Sequence, residues 1–225
     1  MSANCKFCSF HAEMAEILND DCFEQLSANH AAVSFVKGDT IIKQGALSTN
    51  VVFLRTGLVK IHLTGPLREQ IVRLVKAPSY LGLPTTLGDK INQYSVSAVS
   101  DVEVCFIDIH VFQNLLQRNH RFAYQIILEL CRNDIESYHR CANRTQKQSR
   151  GNLADVLLEF SNCIFESERF TIPISQAELG SLIDTSRESI SRFLGELDRD
   201  GIISLTGKQI TILNKKMLQL ISNNG

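Results

Sequence analysis

SQAELGSLIDTSRESISRFLGELDRDGII, Ser175 to Ile203, is the stretch whose reading decides the fold. Ser175 is an N-cap residue type, and Glu178 three positions on completes a capping box, so a helix is expected from 176 to 183. Ser186 can cap a second helix over 187–199, which leaves only Asp184-Thr185-Ser186 for the turn. At about 100° per residue, with Arg187 at zero, Ile190, Phe193, Leu194 and Leu197 share an arc of about 100°. Arg187, Glu188, Ser191 and Arg192 gather on another face, between zero and about 140°. One side of the second helix is built to pack, and another to project.

The projecting set has chemistry suited to base edges in a major groove. Arginine donates bidentately to guanine, glutamate accepts from cytosine, and serine serves in either role. A recognition helix leads with its N-terminal residues, where these four stand. A solvated charged face is the ordinary alternative. The short turn, the capped helix before it and the segment after it favour DNA. That segment, GIISLTGKQITIL, has two β-rich runs around Thr206-Gly207, the layout of a helix-turn-helix followed by a hairpin wing.

Further upstream, LADVLLEF has a helical pattern and SERFTIPI reads as a short strand. Val111 to Arg150 contains no glycine or proline in 40 residues and favours helix. Gly151 is the first breaker after it, and the domain junction is placed there. From Val33 to about Ile109 the texture differs. TIIKQG, NVVFLRTG, LVKIHLTGP, EQIVRLVKAP, QYSVSAVS and VEVCFIDI return at intervals of about ten residues, as in an antiparallel barrel or sandwich. Residues 12–30 have helical spacing, with Asn19, Asp20 or Asp21 able to cap a short second helix.

The bulk properties set limits. An apolar content of 44% with 21% charged residues is ordinary for a soluble globular chain of 225 residues. The net charge of −1 gives no global signal for nucleic acid or anionic membrane, though a small reading surface can sit on a neutral protein. No apolar run approaches the roughly 18 residues of a membrane span, and no signal peptide is visible. The chain therefore reads as cytoplasmic, with no membrane partner. Its seven cysteines are then expected to be reduced thiols or metal ligands. No nucleotide loop, metalloprotease pair or nucleophile–base constellation marks an enzyme. His30, His62, His110, His120 and His139 are scattered without ligand spacing.

ISQAELGSLIDTSRESISRFLGELDRDGIISLTGKQITI resembles the C-terminal winged helix of the Crp/Fnr family of bacterial transcription regulators. KGDTIIKQG (Lys37–Gly45), FLRTGLVKIHL and GPLREQIVRLV followed by Gly82 are similar to that family's cyclic-nucleotide-binding-like β-roll. The resemblance begins near residue 18. It implies an α+β fold: a Cys-containing segment and helix over 1–30, a jelly-roll-like sensor over 31–110, a helical region over 111–150 and a winged helix over 151–225. It implies a homodimer paired through a long central helix, roughly His120–Gln146. Two recognition helices would enter successive major grooves of double-stranded DNA about 34 Å apart, on a pseudo-palindrome. RNA polymerase is the further partner it implies. Arg187, Glu188 and Arg192 take base-contacting positions, Ser191 a further one, with Ser186 and Lys208 as accessory contacts. Asp184 stands where glycine is common in the turn; aspartate tolerates left-handed backbone.

Phe122, Ile126, Ile127 and Leu130 are the expected apolar seam of the central helix. Asn133, Asp134, Ser137, Tyr138 and Cys141 continue it poorly. Either they face solvent, or the weak seam makes dimerisation adjustable by a signal.

The expected signal site is the pocket around Gly82, Leu83, Tyr94 and Ser95, for an unknown small effector. Cyclic-AMP binders of the family follow the pocket glycine with glutamate and carry an Arg-Ser or Arg-Thr pair for the phosphate. Here Leu83-Pro84 and Tyr94-Ser95 stand instead, so cyclic AMP would lose its charge-assisted hydrogen bonds. Redox or oxygen is the other candidate signal. CKFCSFH, Cys5 to His11, resembles half a metal site. In the fumarate-nitrate regulator branch, N-terminal cysteines and one late β-roll cysteine hold a [4Fe-4S] cluster. Cys5, Cys8 and Cys105 match; Met14 stands where the third N-terminal cysteine is expected, leaving Cys22 or His11. A Cys5–Cys8 thiol switch and no cofactor at all remain alternatives. Cys22 and Cys105 can also be plain core thiols, and Cys131, Cys141 and Cys163 read as structural. A module that binds a small molecule and acts through protein partners is the alternative function. Its contact helix would project more apolar residues than Arg187, Glu188, Ser191 and Arg192 supply.

Overall fold

A computed structural model describes residues 17, 18 and 20–225. Cys5, Cys8, His11, Met14 and Asn19 lie outside the described residues. The chain divides into two compact units, 1–133 and 134–225.

In the first unit, helix α1 (Asp20–Ala28) leads into eight strands: β1 (His30–Phe35), β2 (Thr40–Ile42), β3 (Asn50–Thr56), β4 (Leu58–Thr64), β5 (Glu69–Lys76), β6 (Ser79–Leu81), then, after the short helix α2 (Leu83–Gly88), β7 (Ser95–Ala98) and β8 (Val102–Asp108). They form two antiparallel four-stranded sheets, β1-β8-β3-β6 and β2-β7-β4-β5. Alternate residues of a strand point to opposite faces, which explains why NVVFLRT is almost continuously apolar. Val52 and Leu54 join Val102 and Val104 in a core shared with Ile42, Val59, Ile61, Val75 and Val96 of the second sheet. Val51 and Phe53 face the other way, with Cys105 and Ile107, into a second core closed by helices. The central strands are buried on both faces.

Asp108 caps helix α3 (Ile109–Arg118) by accepting from the amides of His110 and Val111. The long helix α4 follows, His120–Gln146, the range expected for the central helix. Phe53, Tyr80, Phe112 and Phe122 stack edge to face at successive centroid distances of 5.1, 5.8 and 5.5 Å, joining the sheet to α3 and α4. Here the expected seam needs correction. Phe122 and Ile126 are buried in this core and Leu130 packs against it, whereas Ile127 is 54% exposed. Residues four apart share a helix face, so 122, 126 and 130 cover the sheet and 127 points elsewhere.

In the second unit α4 ends and α5 (Ser149–Glu159) begins, running into a π-helical turn, Phe160–Ile164. Gly151 is not a breaker: it lies buried inside α5, where an added Cβ would stand 2.9 Å from the backbone of Gly225. The division between units falls within α4 because its last turns are tied to α5. Arg140 makes a two-pronged ion pair with Glu159 at 3.1 and 3.2 Å, and Lys147 meets Asp155 at 2.7 Å. Strand β9 (Arg169–Thr171), helices α6 (Gln176–Ile183) and α7 (Arg187–Arg199), strands β10 (Ile203–Thr206) and β11 (Gln209–Ile212) and helix α8 (Lys215–Asn224) complete the unit. The sheet order is β10-β11-β9. Among the described residues, no helix is long and apolar enough to cross a membrane.

Candidate functional site

The geometry of 175–203 follows from its caps. Ser175 accepts from the Glu178 amide at 3.2 Å while the Glu178 carboxylate accepts from the Ser175 amide at 2.9 Å, satisfying two otherwise orphaned donors. Asp184 ends α6 in the left-handed region (φ 59°, ψ 49°), as its residue type permits. Ser186 accepts from the Ser189 amide at 3.1 Å and starts α7.

Gly180 is a positional requirement that the sequence reading missed. A Cβ there would lie 2.6 Å from the Thr185 carbonyl, and the Thr185 amide donates to the Gly180 carbonyl at 2.9 Å. Only a residue without a side chain lets the turn close this tightly onto α6. Its signal was the lone glycine inside an otherwise regular helical pattern. Arg144 also anchors this corner, donating to the Leu182 carbonyl at 3.1 Å. Burial, together with the Arg140 charge, lowers its pKa; Asp184 acts in the opposite sense.

On α7, Ile190, Leu194 and Leu197 are fully buried and Phe193 is only half-buried, a partial correction to the expected packing face. Arg187, Glu188, Ser191 and Arg192 are all exposed, as is Ser186 at the cap. The Arg192 guanidinium lies over the Phe193 ring at 4.9 Å and stands 3.9 Å from Glu196. Its side chain is 64% exposed, so neither contact takes it out of solvent. Lys208 is exposed beside Gly207 (φ 63°) at the tip of the β10–β11 hairpin, and its carbonyl accepts from the Ile172 amide at 2.9 Å.

In the first unit Gly82 is left-handed (φ 79°) and heads α2, and Leu83 is buried. Tyr94 comes to the same place. Burial raises its pKa, against the lowering effects of the Gly82 backbone and of the Arg73 charge. Arg73 is therefore a cation that a reading of the 94–95 pair alone overlooked. It comes from β5 and donates to Asn133 of α4 at 2.6 Å. Ser95 is buried and accepts from the Gln44 amide at 3.0 Å. His62 is a buried histidine, 2.9 Å from Ser97 Oγ through Nε2 and 3.0 Å from the Glu69 carboxylate through Nδ1.

Cys22 and Cys105 are both buried and belong to one core cluster, together with Leu18, Leu26 and Phe53. Among the described residues, no three His, Cys, Asp or Glu side chains assemble as a metal site. Cys131, Cys141 and Cys163 are exposed, contrary to a structural role in a core; each sits on the outer side of its helical segment.

Two family models match the chain, and together they span well over half of it. Residues 32–119 match the cyclic nucleotide-binding domain and residues 151–221 the Crp-like helix-turn-helix domain. The chain is similar to the fumarate and nitrate reduction regulatory protein of Vibrio cholerae, 27% identical over 79% of this chain and 73% of that protein. Its fold is similar to that of FixK2 from Bradyrhizobium japonicum, with a TM-score of 0.78, 18% identity and coverage of 85% and 96% of the two chains. A transcriptional regulator of the Crp/Fnr family from Eubacterium rectale superposes with a TM-score of 0.76 and 17% identity over 94% of this chain and 98% of the other.

Proposed function

We propose, since this chain belongs to the Crp/Fnr family of transcription regulators, that it reads a pseudo-palindromic site in double-stranded DNA as a homodimer, with α7 of each copy in a major groove. The observation that carries this reading is the division of α7. Ile190, Leu194 and Leu197 are completely buried, and Arg187, Glu188, Ser191 and Arg192 are exposed in its first two turns. The arginines offer bidentate donors to guanine, Glu188 an acceptor to cytosine, and Ser191 either. Ser186 and Lys208 flank them at the cap and the wing tip, where phosphate contacts fix register. Bound in this way, the dimer acts on transcription through RNA polymerase. Selection from a random duplex pool tests the reading. Two inverted half-sites about 10–10.5 bp apart centre to centre are the expected product, and a pool without enrichment opposes it.

The effector is not cyclic AMP in this reading. Leu83 offers nothing to a ribose hydroxyl, and Tyr94-Ser95 stands where an arginine would be needed to meet a cyclic phosphate. Redox or oxygen is the other candidate signal; Cys22 and Cys105 share one core cluster, which fits a pair of ligands and equally a pair of core thiols. Four thiolates suit an iron–sulfur cluster, and Cys5, Cys8, Cys22 and Cys105 would hold it. Such a cluster would supply a redox- or oxygen-labile link between the N-terminal segment and the β-roll.

A further inference from the structure

Helix α4 carries four large apolar side chains that remain open to water: Tyr124 (60% exposed), Ile127 (54%), Ile135 (55%) and Tyr138 (66%). Relative to Cys131 they stand at −7, −4, +4 and +7, the positions that surround a residue on a helix surface. Cys131 is itself exposed and lies at the centre of this patch. The row Tyr124, Cys131, Tyr138, Thr145 repeats every seven residues and is exposed throughout. Phe122 and Ile126 are already consumed by the core of their own unit, so this patch is the apolar surface α4 has left for a partner. A row of exposed side chains at seven-residue spacing lies along one line of the helix, the line on which a second copy of the same helix packs. In a two-fold pair the centre of a self-complementary patch lies on the axis and meets itself. Like residues at a coiled-coil core position come within the Cα separation of about 4.4–6.8 Å that a disulfide spans.

We propose that Cys131 is an intersubunit oxidation site, at which a peroxide joins the two Cys131 thiols of the dimer in one disulfide. The inference rests on the homodimer reading above. One Cys131 thiolate attacks a peroxide oxygen and breaks the O–O bond. The sulfur becomes a sulfenic acid, and the displaced hydroxide takes up the thiol's proton and leaves as water. The partner's Cys131 thiol then attacks the sulfenic sulfur. An S–S bond forms, the S–O bond breaks, and the released hydroxide carries off the second thiol proton as water. Two thiols and one hydrogen peroxide give one disulfide and two waters. The bond clamps the two central helices at the middle of their seam.

The test uses the full chain, purified under reductant, freed of it and treated with hydrogen peroxide. Sedimentation of the reduced protein first reads dimerisation by itself. The expected result is a reduced dimer that becomes covalent on a non-reducing gel and reverts with a thiol reagent. Peptide mapping should join the Cys131 peptide to itself. Cys131→Ser should abolish the covalent band while leaving the dimer and its melting temperature unchanged, and Cys141→Ser should retain the band. A reduced dimer that gives no covalent band, or one that persists in Cys131→Ser, overturns the inference and leaves the homodimer reading intact. A reduced protein that sediments as a monomer overturns both.

Discussion

The carbonyl of Thr185 lies 2.6 Å from where a Cβ on Gly180 would stand, so the helix-turn-helix closes only because residue 180 has no side chain. Relief must come from backbone, since the obstructing atom is a carbonyl oxygen held in a hydrogen-bonded turn. Gly180→Ala should therefore cost about 1–3 kcal/mol of stability in denaturant unfolding, as overpacked sites do. It should also weaken DNA binding beyond that loss, because the turn sets the direction of α7. Gly195→Ala is the control: nothing lies within 4 Å of its Cβ position, and helix propensity favours alanine.

Asp134 sits on the exposed face of α4, and its carboxylate, one turn from Tyr138, raises the Tyr138 pKa. In a parallel helix pair two such carboxylates are brought together across the seam. Asp134→Asn should tighten the dimer about threefold to tenfold at low salt in sedimentation equilibrium, a gain of about 0.7–1.4 kcal/mol. The difference should shrink as salt is added. An unchanged dimer in the variant would place Asp134 away from the seam, and a weaker one would make its carboxylate a stabilising contact.

Lys208 stands at the tip of the wing, exposed beside Gly207. As a phosphate contact it should matter equally on every sequence. Lys208→Ala should weaken specific and random DNA by similar factors and reduce the magnitude of the salt slope by about one per copy. A loss confined to one sequence would make it a base reader.

Iron and acid-labile sulfide, measured on protein purified without oxygen, test the cluster reading. About four of each per chain, lost in Cys105→Ser and in Cys22→Ser, are expected for a [4Fe-4S] cluster. Absence of iron would leave Cys22 and Cys105 as core thiols and return the signal to the region around Gly82 and Tyr94.

Legibility from sequence followed the strength of local signals. Ser175, Glu178 and Ser186 announce both helix starts, so 176–183 and 187–199 are read to the residue. Six of the eight strands of the first unit coincide with β-branched runs broken by glycine. Ser79–Leu81 is too short to show a period, and the helix Leu83–Gly88 hides behind Pro84, which is tolerated in a first helical turn. The C-terminal helix carried a legible signal, since Asn214 caps it by accepting from the Met217 amide. Periodicity could not say which of two apolar stripes on α4 packs internally. Phe122 and Ile126 cover a sheet whose outer face was not visible in the sequence. The same limit hid the split among thiols, with Cys22 and Cys105 inside and Cys131, Cys141 and Cys163 outside. The exposure of Arg187, Glu188, Ser191 and Arg192 follows the helix wheel, whereas the role of Gly180 in the preceding turn depends on a carbonyl five residues away.

The most direct test of the account is the affinity of Arg192→Ala for a selected site and for random DNA, measured at one salt concentration. Arg192 is exposed in the first half of α7, and its guanidinium is free of any buried ion pair. The variant should lose about 1–3 kcal/mol on the selected site, relax the preference at one base pair and bind random DNA almost as before. Equal losses on both DNAs, or no loss on either, would contradict the assignment of α7 as the reading helix.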